Sequence, residues 1–193
     1  MIQIIPVEDK EQRNAFIKFA WKIYGENSQW VPPLIKEQAK ELNPTTGSFY
    51  KVGRVQLFIA IKDGEMVGRI AAIINFEHQQ THETDTGFFG FFECINDQTV
   101  ADTLLEAAED WLADAGMSLA RGPTSFTIYD PCGVTVTGHE IRPGTGMAYT
   151  PAYYAELLEN ASYRKIRDLH AFHLDKDKAN LDLIKLKLNR DHF

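Results

Sequence analysis

The chain has 193 residues, 44% of them apolar and 24% charged, and at this size about 70% of the unfolded surface is buried without a disulfide or metal staple. Its 20 basic and 27 acidic residues leave a net charge of −7, which argues against a nucleic-acid grip and against an anionic membrane surface as partner. Two cysteines (Cys94 and Cys132), no basic-then-apolar leader and no apolar run of about 18 residues lead to the expectation of a cytoplasmic single domain.

Ile2 to Val7 reads as a short strand. Asp9 followed by Gln12 is a capping box, and Phe16, Phe19, Ala20 and Ile23 at helical spacing predict an amphipathic helix over 10–24, stopped by Gly25. Trp30-Val31-Pro32-Pro33-Leu34 is stiff and aromatic; a more polar helix is expected over 33–42, and 43–48 is a loop. Val55 to Lys62 and Met66 to Asn75 are strands joined across Asp63-Gly64, a strong hairpin signal. The His-, Gln- and Thr-rich stretch 76–86 reads as an exposed loop, and 87–94 (GFFGFFEC) as an aromatic strand. Asn96-Asp97 then opens the clearest helix, with Val100, Leu104, Ala108, Trp111 and Ala115 on one face and Gly116 closing it.

Residues 117–121 predict a short strand, and 122–150 is too long for a passive connection, which marks a functional loop region. A helix over 151–160 and a closing strand over 163–174 complete a domain spanning 1–174. Residues 175–193 carry Leu181, Leu183, Ile184, Leu186 and Leu188 without deciding helix from strand, and are expected to be a tail or the start of a second half. The order predicts an α/β domain with a mixed, mostly antiparallel central sheet flanked by helices.

The stretches LFIAIKDGEMVGRIAAIIN, GFFGFFE, ARGPTSF and TPAYYAELLENASYRKIRDL resemble an uncharacterised bacterial branch of the GNAT (GCN5-related N-acetyltransferase) superfamily, over nearly all of 1–174. The resemblance implies a GNAT-like fold and an acyl-CoA donor, acetyl-CoA or a longer homologue. It lays the donor along the fourth strand and its pyrophosphate on the N–H groups opening the next helix, where the helix dipole favours an anion. The implied donor-binding residues are therefore Phe91, Phe92, Cys94, Asn96, Gln98, Thr99 and Val100. The chain departs from the family there: the Arg/Gln-x-x-Gly-x-Gly/Ala turn is replaced by Cys94-Ile95-Asn96-Asp97-Gln98-Thr99, with Asp97 as a helix cap.

Glu93, between Phe92 and Cys94, is the candidate base for an acceptor amine, because apolar surroundings raise a carboxyl's pKa. Its structural alternative is a strand-end glutamate, solvated or paired with Arg69 or Arg121. The resemblance puts a general-acid tyrosine where Leu158 stands; Tyr154, one turn earlier, is the candidate in its place, with Tyr153 beside it. Trp30, Tyr129, Asp130, His139 and Tyr153 are candidate acceptor-pocket residues. His78 and His82 lack the glutamate of a metalloprotease pair, and no metal is expected. Cys132 lacks an activating signature.

Three readings follow. The first is an acyl-CoA-dependent N-acyltransferase acting on a small-molecule or peptide amine. The second uses an acyl-carrier protein or aminoacyl-tRNA as donor. The third is a non-catalytic binding or interaction module on the same fold, for which the aromatic surface and the Leu-rich tail offer contacts that fit a homodimer.

Overall fold

The computed structural model describes residues 1–25, 29–82 and 84–172. In chain order these form β1 (Ile2–Pro6), α1 (Lys10–Tyr24), α2 (Ile35–Glu41), a 3₁₀ turn at Phe49–Lys51, β2 (Gly53–Lys62), β3 (Glu65–Asn75), α3 (Phe76–His82), β4 (Thr86–Cys94), α4 (Gln98–Asp114), β5 (Leu119–Arg121) and α5 (Tyr153–Asn160). Strands lie side by side in the order β1-β2-β3-β4-β5, antiparallel except for the parallel β4–β5 pair.

Local signals set most of these elements. The Asp9–Gln12 capping box is formed at both bonds, with Gln12 N–H donating to Asp9 at 2.8 Å, and Gly25 ends α1 at φ 53°. Asp63 and Gly64 both take positive φ in the β2–β3 turn. The two faces of the sheet carry separate cores. Ile70, Ala72, Ile74, Phe89 and Phe92 pack with Leu104, Leu105, Ala108 and Leu112 of α4 and with Tyr154 of α5. Leu57, Ile59, Ala71, Ile73 and Phe88 pack with Phe16 and Ile17 of α1.

Two expectations are corrected. Residues 76–82 are helical, not loop: the Asn75 side chain accepts the His78 N–H at 3.0 Å and caps the turn, and no apolar periodicity announces so short and polar a helix. No strand forms over the described part of the closing strand, 163–172. Ile166, Leu169 and Phe172 recur every three residues and are exposed, whereas a half-buried strand needs alternation. Residues 173–174 and the tail 175–193 lie outside the described residues.

β4 carries the feature that positions the site. Its register against β3 shifts between Arg69↔Glu93 and Ala71↔Gly90, and Phe91 takes φ 49°. Two residues, Phe91 and Phe92, thus oppose Ile70, which is a β-bulge. Just before it, Gly90 lies under the backbone of the 122–150 segment: a Cβ there would stand 2.1 Å from Thr124 O. We expect Gly90→Ala to lower unfolding free energy by about 1–3 kcal/mol, as overpacking does, measured by urea denaturation. Wild-type stability in that variant would mean that the Thr124 segment yields freely.

Candidate active site

The bulge reverses the side-chain phase of the last strand turn. Phe91 faces α1, Phe92 faces α4, and Glu93 comes to the α1 side rather than into the α4 core. There it meets Arg69 of β3, its register partner. Arg69 is only 3% exposed and its Nη2 stands 3.6 Å from Glu93 Oε1. Its Nη1 donates to the carbonyls of Phe16 (2.7 Å) and Ile17 (3.2 Å), and the guanidinium lies 4.9 Å from the Phe16 ring centre. Of the two arginines considered for Glu93, the structure pairs it with Arg69.

Two tyrosines complete the surroundings. Tyr154 of α5, fully buried, donates to Glu93 Oε2 at 2.6 Å and accepts the Cys94 N–H at 3.0 Å. Tyr24, the last residue of α1, has its hydroxyl 3.1 Å from Glu93 Oε1 and 2.9 Å from the Tyr149 carbonyl. Burial pushes the Glu93 carboxyl up from its usual range, while Arg69 and the tyrosine hydroxyls pull it down. Burial also raises Tyr154 far above an ordinary phenol, with the Glu93 charge adding to it. A carboxyl so placed is a stronger base than a solvated one when ionised, and it has a phenol in contact to pass a proton on.

Other candidates converge on the same point. Trp30 stacks on Tyr24, centroids 4.6 Å apart and planes 9° apart, with Trp21 edge-on at 5.2 Å. His139 joins through its carbonyl, which accepts from the Tyr149 hydroxyl at 2.9 Å. Tyr153 donates to Cys94 O at 2.8 Å, and burial raises its phenol to about 12. Tyr129 and Asp130 stand apart: Asp130 closes its own turn by accepting from Thr127 N–H and hydroxyl, and Tyr129 is 90% exposed. His78 and His82 bring their rings within 4.5 Å on α3. Tyr24 was not among the sequence candidates, although its place one residue before the stop glycine Gly25 put it at the end of a buried helix face.

The donor-side residues divide. Pairing of β4 with β5 ends at Phe88↔Arg121, so the strands part beyond it. At Cys94 the opened edge is filled, because Tyr154 and Tyr153 take its N–H and its carbonyl. The Cys94 thiol is buried, and burial raises its pKa. Phe92 and Val100 are core residues, Phe91 is half-buried, and Asn96 and Thr99 are exposed. Gln98 bonds Leu157 O at 3.0 Å and so ties α4 to α5.

The start of α4 is already supplied with an anion. Asp97 accepts the Thr99 N–H at 3.0 Å, its carbonyl accepts from Val100 and Ala101, and Lys62 holds its second oxygen at 2.7 Å. The Lys62 bond holds the Asp97 carboxyl below the usual carboxylate range. A diphosphate at this turn would meet a fixed carboxylate in place of free N–H groups, so the residues present do not fit the diphosphate of CoA.

No family model matches the chain. It is 33% identical over 176 residues to a protein named bacterial ceramide synthase from Caulobacter vibrioides, a match over 91% of this chain and 46% of that protein. It is 34% identical over 171 residues to Protein YghO of Escherichia coli, over 87% of this chain and 43% of that one. The chain thus spans less than half the length of these curated relatives. Among solved structures, a predicted acetyltransferase from Clostridium acetobutylicum with acetyl-CoA superposes at TM-score 0.56, with 9% identity over 93% of this chain and 99% of that one. An aminoglycoside acetyltransferase from an uncultured soil metagenomic sample, in complex with sisomicin, gives TM-score 0.52 with 11% identity over 91% and 97%.

Removing one member of a buried ion pair costs about 3–5 kcal/mol. Arg69→Met should therefore destabilise the chain by that amount in urea unfolding, and Arg69→Met with Glu93→Gln should recover a good part of it. A double-variant loss equal to the sum of the Arg69→Met and Glu93→Gln losses would mean that the two charges are not coupled. Superposition over nine-tenths of the chain, on a mixed five-stranded sheet flanked by helices, shows that the chain has a GNAT-like fold.

Proposed function

We propose that this domain carries out N-acyl transfer to a primary amine, with Glu93 as the base and Tyr154 as the acid. The observation that carries the reading is Glu93 itself, a buried carboxyl at a strand bulge, touched by two phenols and one guanidinium. The acceptor nitrogen attacks the acyl carbonyl, a C–N bond forms, and the bond to the leaving group breaks. The amine proton passes to Glu93 Oε1. Tyr154 gives its proton to the leaving group, and the proton gained by Glu93 returns to Tyr154 across their 2.6 Å contact once the carboxyl has turned about its Cγ–Cδ bond, so the residues end as they began. Arg69 steadies the carboxylate between proton transfers.

A ceramide is an amide, and making one acylates the amine of a long-chain amino alcohol. The relative named bacterial ceramide synthase therefore supports an acceptor of that class. Trp30, stacked over Tyr24 and followed by the exposed Val31, Leu34 and Ile35, offers such a chain an apolar approach. For the donor, the neighbour with acetyl-CoA supports an acyl-CoA, whereas Asp97 opposes a diphosphate grip at α4.

A second reading, the interaction module, is favoured by one observation: Tyr153 and Tyr154 fill the opened edge of β4 at Cys94. One assay separates the two. The purified chain is incubated with a long-chain amino alcohol and with palmitoyl-CoA or palmitoyl-pantetheine, and the amide is quantified by mass spectrometry. Glu93→Gln should lower kcat by about 10²–10⁴, the usual worth of a general base, and Tyr154→Phe by a smaller factor. Similar rates from both donors are expected if α4 does not hold a diphosphate. Amide formation unaffected by either substitution would remove Glu93 and Tyr154 from the chemistry, and absence of amide with every donor would favour the module.

A further inference from the structure

Both Glu93 oxygens are engaged by tyrosine hydroxyls, and Oε1 also faces Arg69 Nη2 at 3.6 Å, so both lone-pair directions of Oε1 are met before an amine N–H arrives. The two tyrosines differ in what they can give up. Tyr154 directs its proton to Oε2 while its oxygen accepts from the Cys94 N–H, and it sits fully buried. Tyr24 has two acceptors for one proton: Glu93 Oε1 at 3.1 Å and the Tyr149 carbonyl at 2.9 Å. A phenol donates once. Its hydrogen therefore chooses between them, and the choice requires only rotation about the C–O bond.

We propose that Tyr24 is the positioning residue that opens Glu93 to the acceptor: its hydroxyl turns from Glu93 Oε1 to the Tyr149 carbonyl as the amine arrives, leaving one lone pair of Oε1 for the amine N–H while Arg69 keeps its place beside the other. This rests on the reading of Glu93 as the base. The ring itself stays in place, clamped flat against Trp30, which Trp21 meets edge-on. Tyr24 remains bonded in both positions, so the turn leaves no buried hydroxyl unsatisfied, and an unsatisfied hydroxyl is what usually makes breaking a buried bond expensive. Trp30 lies on the same ring, so an acceptor that approaches along Trp30 arrives beside the hydroxyl that must turn.

The groups facing Glu93 are Arg69 from β3, Tyr24 from α1, Tyr154 and Tyr153 from α5 and the neighbouring Cys94 of β4. Of these, Arg69, Tyr154 and Tyr24 favour the ionised carboxylate. Taking away the Tyr24 hydroxyl removes one donor to it. The carboxyl should then hold its proton to higher pH, by about half to one pH unit for one hydrogen bond. The base form is lost as pH falls, so the acid limb of kcat/KM moves upward by the same amount.

The test compares wild type and Tyr24→Phe by ¹³C NMR titration of the glutamate carboxyl, assigned with Glu93→Gln, with and without 2-aminohexadecan-1-ol as the amine probe. Expected is an upward shift of the Glu93 titration in Tyr24→Phe without the probe. With the probe, the two proteins should converge, because in wild type the hydroxyl has then left Oε1. A Tyr24→Phe titration superimposed on wild type, or a difference that the probe leaves unchanged, overturns the proposal. The NMR readout does not need turnover: the expected shifts in a chain that makes no amide would keep the Tyr24 contact and reject the acyl-transfer reading. Circular dichroism of Tyr24→Phe checks its fold, and Tyr24→Leu serves as a second variant without a donor at this position.

Discussion

One inserted residue in β4 decides which side of the sheet holds a charge. Without the bulge at Phe91, strict alternation from Phe88 and Phe89 would send Glu93 into the core under α4, where Leu104, Leu105 and Ala108 offer it nothing. With the bulge, Phe92 takes that core position and Glu93 falls beside Arg69. The left-handed φ at Phe91 is unfavourable for a bulky residue. It is held by a local frame: Gly90 under Thr124 on one side, and Phe16 and Phe126 edge-on to the Phe91 ring on the other.

A buried charge is costly, and the surroundings of Glu93 have to offset that cost. Arg69 is itself buried and would be a liability alone, so it is tied to α1 carbonyls and to the carboxylate at once. The result is that α1, β3, β4 and α5 each send one group to a single point. The same economy holds at the start of α4, where Asp97 and Lys62 satisfy one another and the helix N–H groups. That arrangement stabilises the helix by means that displace the anion a related fold would bind there.

Much of the frame was legible. The Asp9–Gln12 box, the Asp63-Gly64 turn, Asp97 as a cap and the apolar stripe of α4 are local signals, and each formed where its residues indicated. Glu93 was legible as a candidate because a carboxyl among phenylalanines is unusual, whereas Tyr154 came into view only through the resemblance, one turn before the position where Leu158 replaces the implied tyrosine. What joins them was not. The bulge rests on Thr124 pressing on Gly90, a contact across more than thirty residues, and Tyr24 reaches Glu93 across sixty-nine. α3 was missed because Asn75 caps it from the end of a strand, and a closing strand was expected over 163–172 where the apolar spacing does not alternate.

The span of the Glu93 cluster along the chain has a consequence for how the protein comes together. Tyr24, Arg69, Glu93 and Tyr154 are brought in by four separate elements. The β2–β3 hairpin is local and able to form early, but the cluster cannot exist until β4 has paired and α5 has docked. α5 is eight residues long, starts without a side-chain cap and touches the Glu93 carboxylate through one phenol, that of Tyr154. Its undocking would expose Glu93 to water while leaving the hairpin paired. The cluster thus acts as a checkpoint of completeness: a chain whose last described helix has not docked has the sheet but not the closed carboxyl site.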